Sequence, residues 1–426
     1  MATSHLSLTL SIILSLATDI AWSQPAASSI PKPDQTPAPV NPGVRPMPAT
    51  KAPPVAAPTT AAPAVTGARA PVMAPTGASS ANPRAILQRY ADGLAILLLN
   101  LGAYSDPTPE QKNRMMIALN SLKGIAYEVQ PLLATSATDP VMRYISFDLS
   151  KQFLRLEAAI IAGTFNFARY LLRQITQYTV PWQQGTALKT PGLLQFPEPP
   201  AALSDLEKAE YYAGIKKFEE SMLAYERVLS DRQFRRTRPE IWEKAVENLM
   251  AITIRVRNDA HITLEMSSAL REDSNAKDAQ KEMLQSWRNS AKAWTTEGVG
   301  QKLSGADLLN KAQQSIDKGT QLSAKGHNFG TIEYLRAMSL LNELAMSQEP
   351  DALKAKGFQL TGKTGEKLRH VFLWMHPDAY YEACIRARPH SAESRECLKL
   401  LETFQTQQKD VVTDRDKLKQ LTEIAR

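Results

Sequence analysis

The chain has 426 residues, with 28 prolines against 19 glycines, two cysteines and a formal charge of +7. Outside one proline tract it is rich in Ala, Leu, Lys, Glu and Gln, which excludes a β-sandwich, a collagen-like chain and a disulfide-dense miniprotein. The length allows two or three domains, and so thin a positive excess is no nucleic-acid signature.

Residues 1–23 read as a secretory signal peptide. Leu6 to Ala17 are apolar but too few to cross a bilayer, and Asp19 interrupts their extension. Ala21-Trp22-Ser23 then offers small residues for cleavage after Ser23. The expected product is periplasmic or secreted. The absence of an Asn-x-Ser/Thr sequon leans towards a bacterial periplasm.

Residues 24–82 form a Pro/Ala-rich tract with no aromatic side chain. It has too little apolar surface to offset the entropy of ordering, so a disordered, semi-stiff tether is expected. Residues 83–179 read as a helical bundle. The first helix is apolar nearly all round, Thr108-Pro109-Glu110-Gln111 is a capping box opening a second, and Asp139-Pro140 starts a helical run to about Tyr178, bent near Gly163. Residues 180–203 hold five prolines and no helical period, as in an inter-domain linker or a packed loop.

From Ser204 the pattern changes to paired helices. Ser204-Asp205-Leu206-Glu207 is a second capping box, and Tyr211-Tyr212 precede a turn. Phe218 and Tyr225 follow seven residues apart, with small Ser221 and Ala224 between them. This stretch resembles a tetratricopeptide (TPR) repeat, with one extra residue around Gly214. Residues 306–346 and 377–404 read as further hairpins, so a TPR-like helical-hairpin domain is expected over 204–404. Between them, one helix is expected from Pro239 to about Ala269, with a seam of Trp242, Ala245, Leu249, Ile252 and Val256. A second seam, Leu284, Trp287, Ala291 and Trp294, fits an intramolecular hairpin or a coiled-coil partner. Residues 405–426 read as a charged, solvated helix or tail. The fold class is all-α: a tether, a bundle, then antiparallel hairpins.

Chemistry is sparse. His370, His376 and His390 fall near Cys384 and Cys397, but no CxxC or HxxxH spacing fixes two zinc ligands. The cysteines face each other across a turn at Arg388–Ser391. A disulfide is therefore expected over free thiols or metal, stapling a terminal hairpin that has one neighbour to pack on. His261/Glu265 and Glu366/His370 are helical i,i+4 pairs that fit surface ion pairs. Arg232, Arg235, Arg236 and Arg238 are a candidate contact for an acidic partner or envelope surface. No catalytic motif or cofactor-binding pattern stands in a credible context. The expectation is an exported, non-enzymatic interaction scaffold or adaptor of the bacterial cell envelope, with a protein or peptide partner. An envelope enzyme and a structural spacer are the alternatives.

Overall fold

The computed structural model describes residues 82–102, 105–134, 140–180, 194–272, 277–297, 303–368, 376–407 and 414–426. The expected signal peptide and all but the last residue of the expected tether lie outside these. Every regular element among the described residues is helical.

The bundle comprises α1 (Pro83–Leu101), α2 (Pro109–Ala134), α3 (Leu149–Ala162) and α4 (Phe165–Thr179). The capping box opening α2 is formed: Gln111 N donates to Thr108 Oγ1 at 3.2 Å and Thr108 N to Gln111 Oε1 at 2.8 Å. The single run expected from Asp139 is broken. Pro140–Arg143 make one 3-10 turn, and α3 begins only where Asp148 accepts from Lys151 N. Gly163, at φ 72°, then closes α3 in the left-handed conformation, so it ends a helix instead of bending one. Tyr90, Leu94, Leu97, Met115, Leu119, Leu122, Phe153 and Leu156 fill the core. The near-continuous apolar surface of α1 is used twice, since Ala95 packs with Tyr211 and Ile215 of the next helix pair.

That pair is α5 (Asp205–Gly214) and α6 (Phe218–Ser230). The Ser204/Glu207 box is complete, and buried Ser221 donates to Ala209 O at 2.7 Å where the two helices approach. Residues 194–203 form a packed loop: Tyr211 OH donates to Pro197 O at 2.6 Å, and Gln88 Nε2 to Gln195 O at 3.0 Å. The remainder of the proline-rich segment, 181–193, lies outside the described residues.

Short α7 (Arg232–Thr237) leads into α8 (Pro239–Ile252), then α9 (Ala260–Glu272) and α10 (Asp278–Thr295). The long helix expected over 239–269 is thus two helices. After the wide turn Thr253–Arg257, Asn258 takes φ 51° and Asp259 Oδ1 accepts from His261 N and Ile262 N, stopping one helix and starting another. Asn-Asp is an αL stop followed by an N-cap, which outweighs the continuous apolar seam. Trp242, Leu249 and Trp287 are fully buried in one core, and α9 and α10 form an intramolecular hairpin.

The next pairs are α11 (Gly305–Ser323) with α12 (Thr331–Met346), and α13 (Asp351–Lys367) with α14 (Pro377–Ala387). The α11–α12 turn depends on Gly330: a Cβ there would lie 2.1 Å from Gly319 O. The chain ends with α15 (Ala392–Gln407) and α16 (Arg415–Ala425).

Two expectations for this end are corrected. Helix α16 is not a solvated tail: Leu421 and Ala425 are buried, and His390 N donates to Ile424 O at 3.0 Å. Nor does the terminal hairpin have one neighbour, since Val141 and Tyr178 of the bundle segment complete its core. The hairpin array leaves the bundle at α1 and returns to it beside α4, closing a circuit of packed helices.

Candidate interaction surfaces

Helix α7 is held at both ends. Asp231 Oδ1 accepts from Gln233 N at 2.8 Å and Phe234 N at 3.1 Å, and half-buried Phe234 packs on the central core. Arg235 is only 2% exposed: its guanidinium lies 3.9 Å from the centre of the Trp242 ring and its Nε donates to Gln280 Oε1. This cation–π contact fixes the helix from below. Of the four arginines expected to be available at the surface, Arg235 is therefore withdrawn, because it is buried against Trp242. Arg232, Arg236 and Arg238 are exposed, the first two one helical turn apart. None has an ion-pair partner among the described residues, whereas Arg169, Arg227, Arg257, Arg336, Arg386 and Arg388 each have one.

The histidine and cysteine cluster resolves into separate parts. The sulfurs of Cys384 and Cys397 are 2.06 Å apart, bonded to each other across α14 and α15, and both residues are fully buried. Exposed His390 sits in the turn at φ 57°, and His370 lies outside the described residues. His376 is buried, its ring 4.2 Å from that of Tyr170. Burial first, and Arg173 second, push its pKa down to about 3, so the imidazole is neutral in the folded chain. With 13 residues of separation, the crosslink should contribute about 3 kcal/mol by restricting the unfolded chain. Guanidinium melts with and without reductant should differ by that amount. Identical midpoints would contradict it.

A small open cleft lies between α3 and α4 of the bundle and α14–α16. Several of its polar groups hold these elements together, while the buried Oε1 of Gln405 in its lining accepts no hydrogen bond among the described residues. Asp378 Oδ2 accepts from Tyr170 OH at 2.6 Å and from Gln174 Nε2 at 2.8 Å. Glu382, 1% exposed, accepts from Ser146 N and Arg386 Nε, each at 2.9 Å, and pairs with Lys417. Lys151 pairs with Asp414 at 2.7 Å. Burial pushes the Asp414 carboxyl up, but the hydrogen bonds from Lys151 and from Lys417 N, with the charges of Lys151 and Arg155, together outweigh it and hold the carboxyl below its usual range. These contacts dock the C-terminal helices onto the bundle, and composition offered no sign of them.

Among the described residues two carboxyls have pKa values pushed up to about 7, Glu226 and Glu247, by burial first in each case. Neither lines the cleft. Glu247 accepts from Asn328 Nδ2, while Asn328 O accepts from Trp287 Nε1 at 2.7 Å, so this carboxyl sits beneath the α11–α12 turn. Of the i,i+4 pairs, His261 and Glu265 lie on α9, and Glu366 accepts from Tyr381 OH.

No helix among the described residues is long and apolar enough to cross a membrane. The chain matches no known protein family, no curated protein and no solved structure.

Proposed function

We propose that this is an exported, non-enzymatic interaction scaffold of the bacterial cell envelope, recognising an acidic face of a protein partner through the turn at α7. The observation that carries this reading is the state of the arginines there. Arg235 is stacked and buried, which holds the short helix rigid, while Arg232, Arg236 and Arg238 are exposed without a carboxylate partner among the described residues. Guanidinium groups pre-positioned in this way lose little freedom on meeting carboxylates and bind them bidentately. The packed hairpins supply the rigid platform, and the disulfide suits an oxidising compartment.

An envelope enzyme remains the competing class. A carboxylate of raised pKa in the cleft would have favoured it, but the two raised carboxyls lie elsewhere.

The test is affinity capture from the native host with the wild-type chain and with Arg232→Glu, Arg236→Glu and Arg238→Glu combined. Recovery of an acidic partner should fall at least about tenfold in the triple variant, with an unchanged circular dichroism spectrum. Equal recovery by both proteins would overturn the reading.

A further inference from the structure

One side of the α9–α10 hairpin is a cationic groove. Arg288 Nε of α10 donates to Ser268 Oγ of α9 at 3.0 Å, which fixes the level of the two antiparallel helices and the sides they turn towards each other. At 100° per residue, Lys281, Gln285, Arg288 and Lys292 fall on one stripe of α10. Ser268 and Arg271 fall on the facing side of α9. Side chains lean towards the N-terminus of their own helix, so in this antiparallel pair Arg271 and Arg288 lean past each other across the groove.

Four cations thus line one groove, and none has an ion-pair partner among the described residues, whereas Arg257 and Arg336 of neighbouring elements are paired. Arg271, Lys281 and Arg288 are half-buried; only Lys292 is exposed. Arg271 is the sharper case, because its Nε is buried and has no hydrogen-bond partner among the described residues. A guanidinium N–H shut away from water without an acceptor is costly, so an oxyanion entering the groove relieves that cost as well as meeting the charge.

The nearby carboxylates stand at the margins. Asp278 lies in the first turn of α10, at one end of the groove, where it complements the helix's own N–H groups. Glu265 and Glu272 are exposed on the outer side of α9, and Glu282 on the outer side of α10.

We infer that this groove binds an extended acidic peptide segment of a partner protein. From Lys281 to Lys292 the stripe runs about 16 Å along α10. Alternate side chains of an extended strand recur about every 6.6 Å, so carboxylates at alternate positions of one short segment reach successive cations. The acidic rims select among anionic partners. A flat anionic membrane or a broad polyanion would be pressed against Glu265, Glu272 and Glu282, while a single strand lies between them. The inference shares no residue with the α7 contact and does not rest on it.

The experiment is fluorescence anisotropy of a labelled (Glu-Ser)5 peptide titrated with the full chain at about 50 mM salt. The chain already carrying Arg232→Glu, Arg236→Glu and Arg238→Glu is titrated in parallel. Binding is expected in both. Adding Arg271→Gln with Arg288→Gln should weaken it at least about tenfold with an unchanged circular dichroism spectrum. Lys281→Gln with Lys292→Gln, at less buried positions, should weaken it in the same direction. Absence of binding, or binding unmoved by both glutamine pairs, would overturn the inference. Binding lost through the α7 substitutions alone would also overturn it, while leaving the α7 reading standing. Inorganic polyphosphate held more tightly than the peptide by the same four side chains would assign the groove to a polyanion instead.

Discussion

Replacing Glu382 with alanine is expected to lower stability by about 3 kcal/mol and to release the C-terminal helices from the bundle before the rest unfolds. The carboxylate is 1% exposed and joins three segments far apart in sequence: Ser146 ahead of α3, Arg386 on α14 and Lys417 on α16. Truncation leaves two cations facing each other and a backbone N–H without its acceptor. Breaking a buried pair in this way costs about 3–5 kcal/mol. The side chains of Lys417 and Arg386 retain 31% and 22% of their exposure, so they can turn towards water, which places the loss at the lower end. Urea denaturation measures the total, and hydrogen exchange at the Ser146 amide reports the local release. A loss under about 1 kcal/mol would mean that apolar contacts alone hold the circuit closed.

Glu247→Gln is expected to stabilise the protein, and by an amount that depends on pH. Burial first, and the neighbouring Glu243 second, raise the Glu247 carboxyl from 4.5 to about 7. Below pH 4.5 the carboxyl is protonated both folded and unfolded, and it carries no penalty. Between 4.5 and 7 the unfolded chain gives up its proton while the folded chain keeps it, so stability falls as pH rises. Above 7 the full cost of about 3 kcal/mol applies. Glutamine removes that cost and still offers an oxygen to Asn328 Nδ2 under the α11–α12 turn. Thermal melts at pH 8 should therefore favour the variant, and the advantage should vanish below pH 4.5. His376 acts with the opposite sign: its pKa of about 3 removes stability as pH falls below the unfolded value near 6.5. A variant advantage independent of pH would show that the carboxyl is not the cause.

Local signals carried the helices well. The capping boxes at Thr108 and Ser204 and the turn joining Cys384 to Cys397 depend on residues close in sequence, and all are formed. The break at Asn258-Asp259 was equally local, but a continuous apolar seam concealed it. The return of α14–α16 to the bundle was not legible. It rests on pairs such as Tyr170–Asp378 and Lys151–Asp414, more than 200 residues apart, which leave no periodic trace. Among the arginines, sequence gave the cluster but could not separate Arg235 from its neighbours. Only the position of Trp242 beneath it distinguishes an anchor from the three exposed groups.

The most direct measurement of the scaffold reading places a photo-crosslinking residue at Gln233, exposed on α7 between Arg232 and the buried Arg235. Irradiation in the native host should join this position to an acidic protein, and Arg232→Glu with Arg236→Glu should abolish the product. Crosslinks that persist undiminished in that double variant, or none at Gln233 while other surfaces give them, would contradict recognition through the α7 turn.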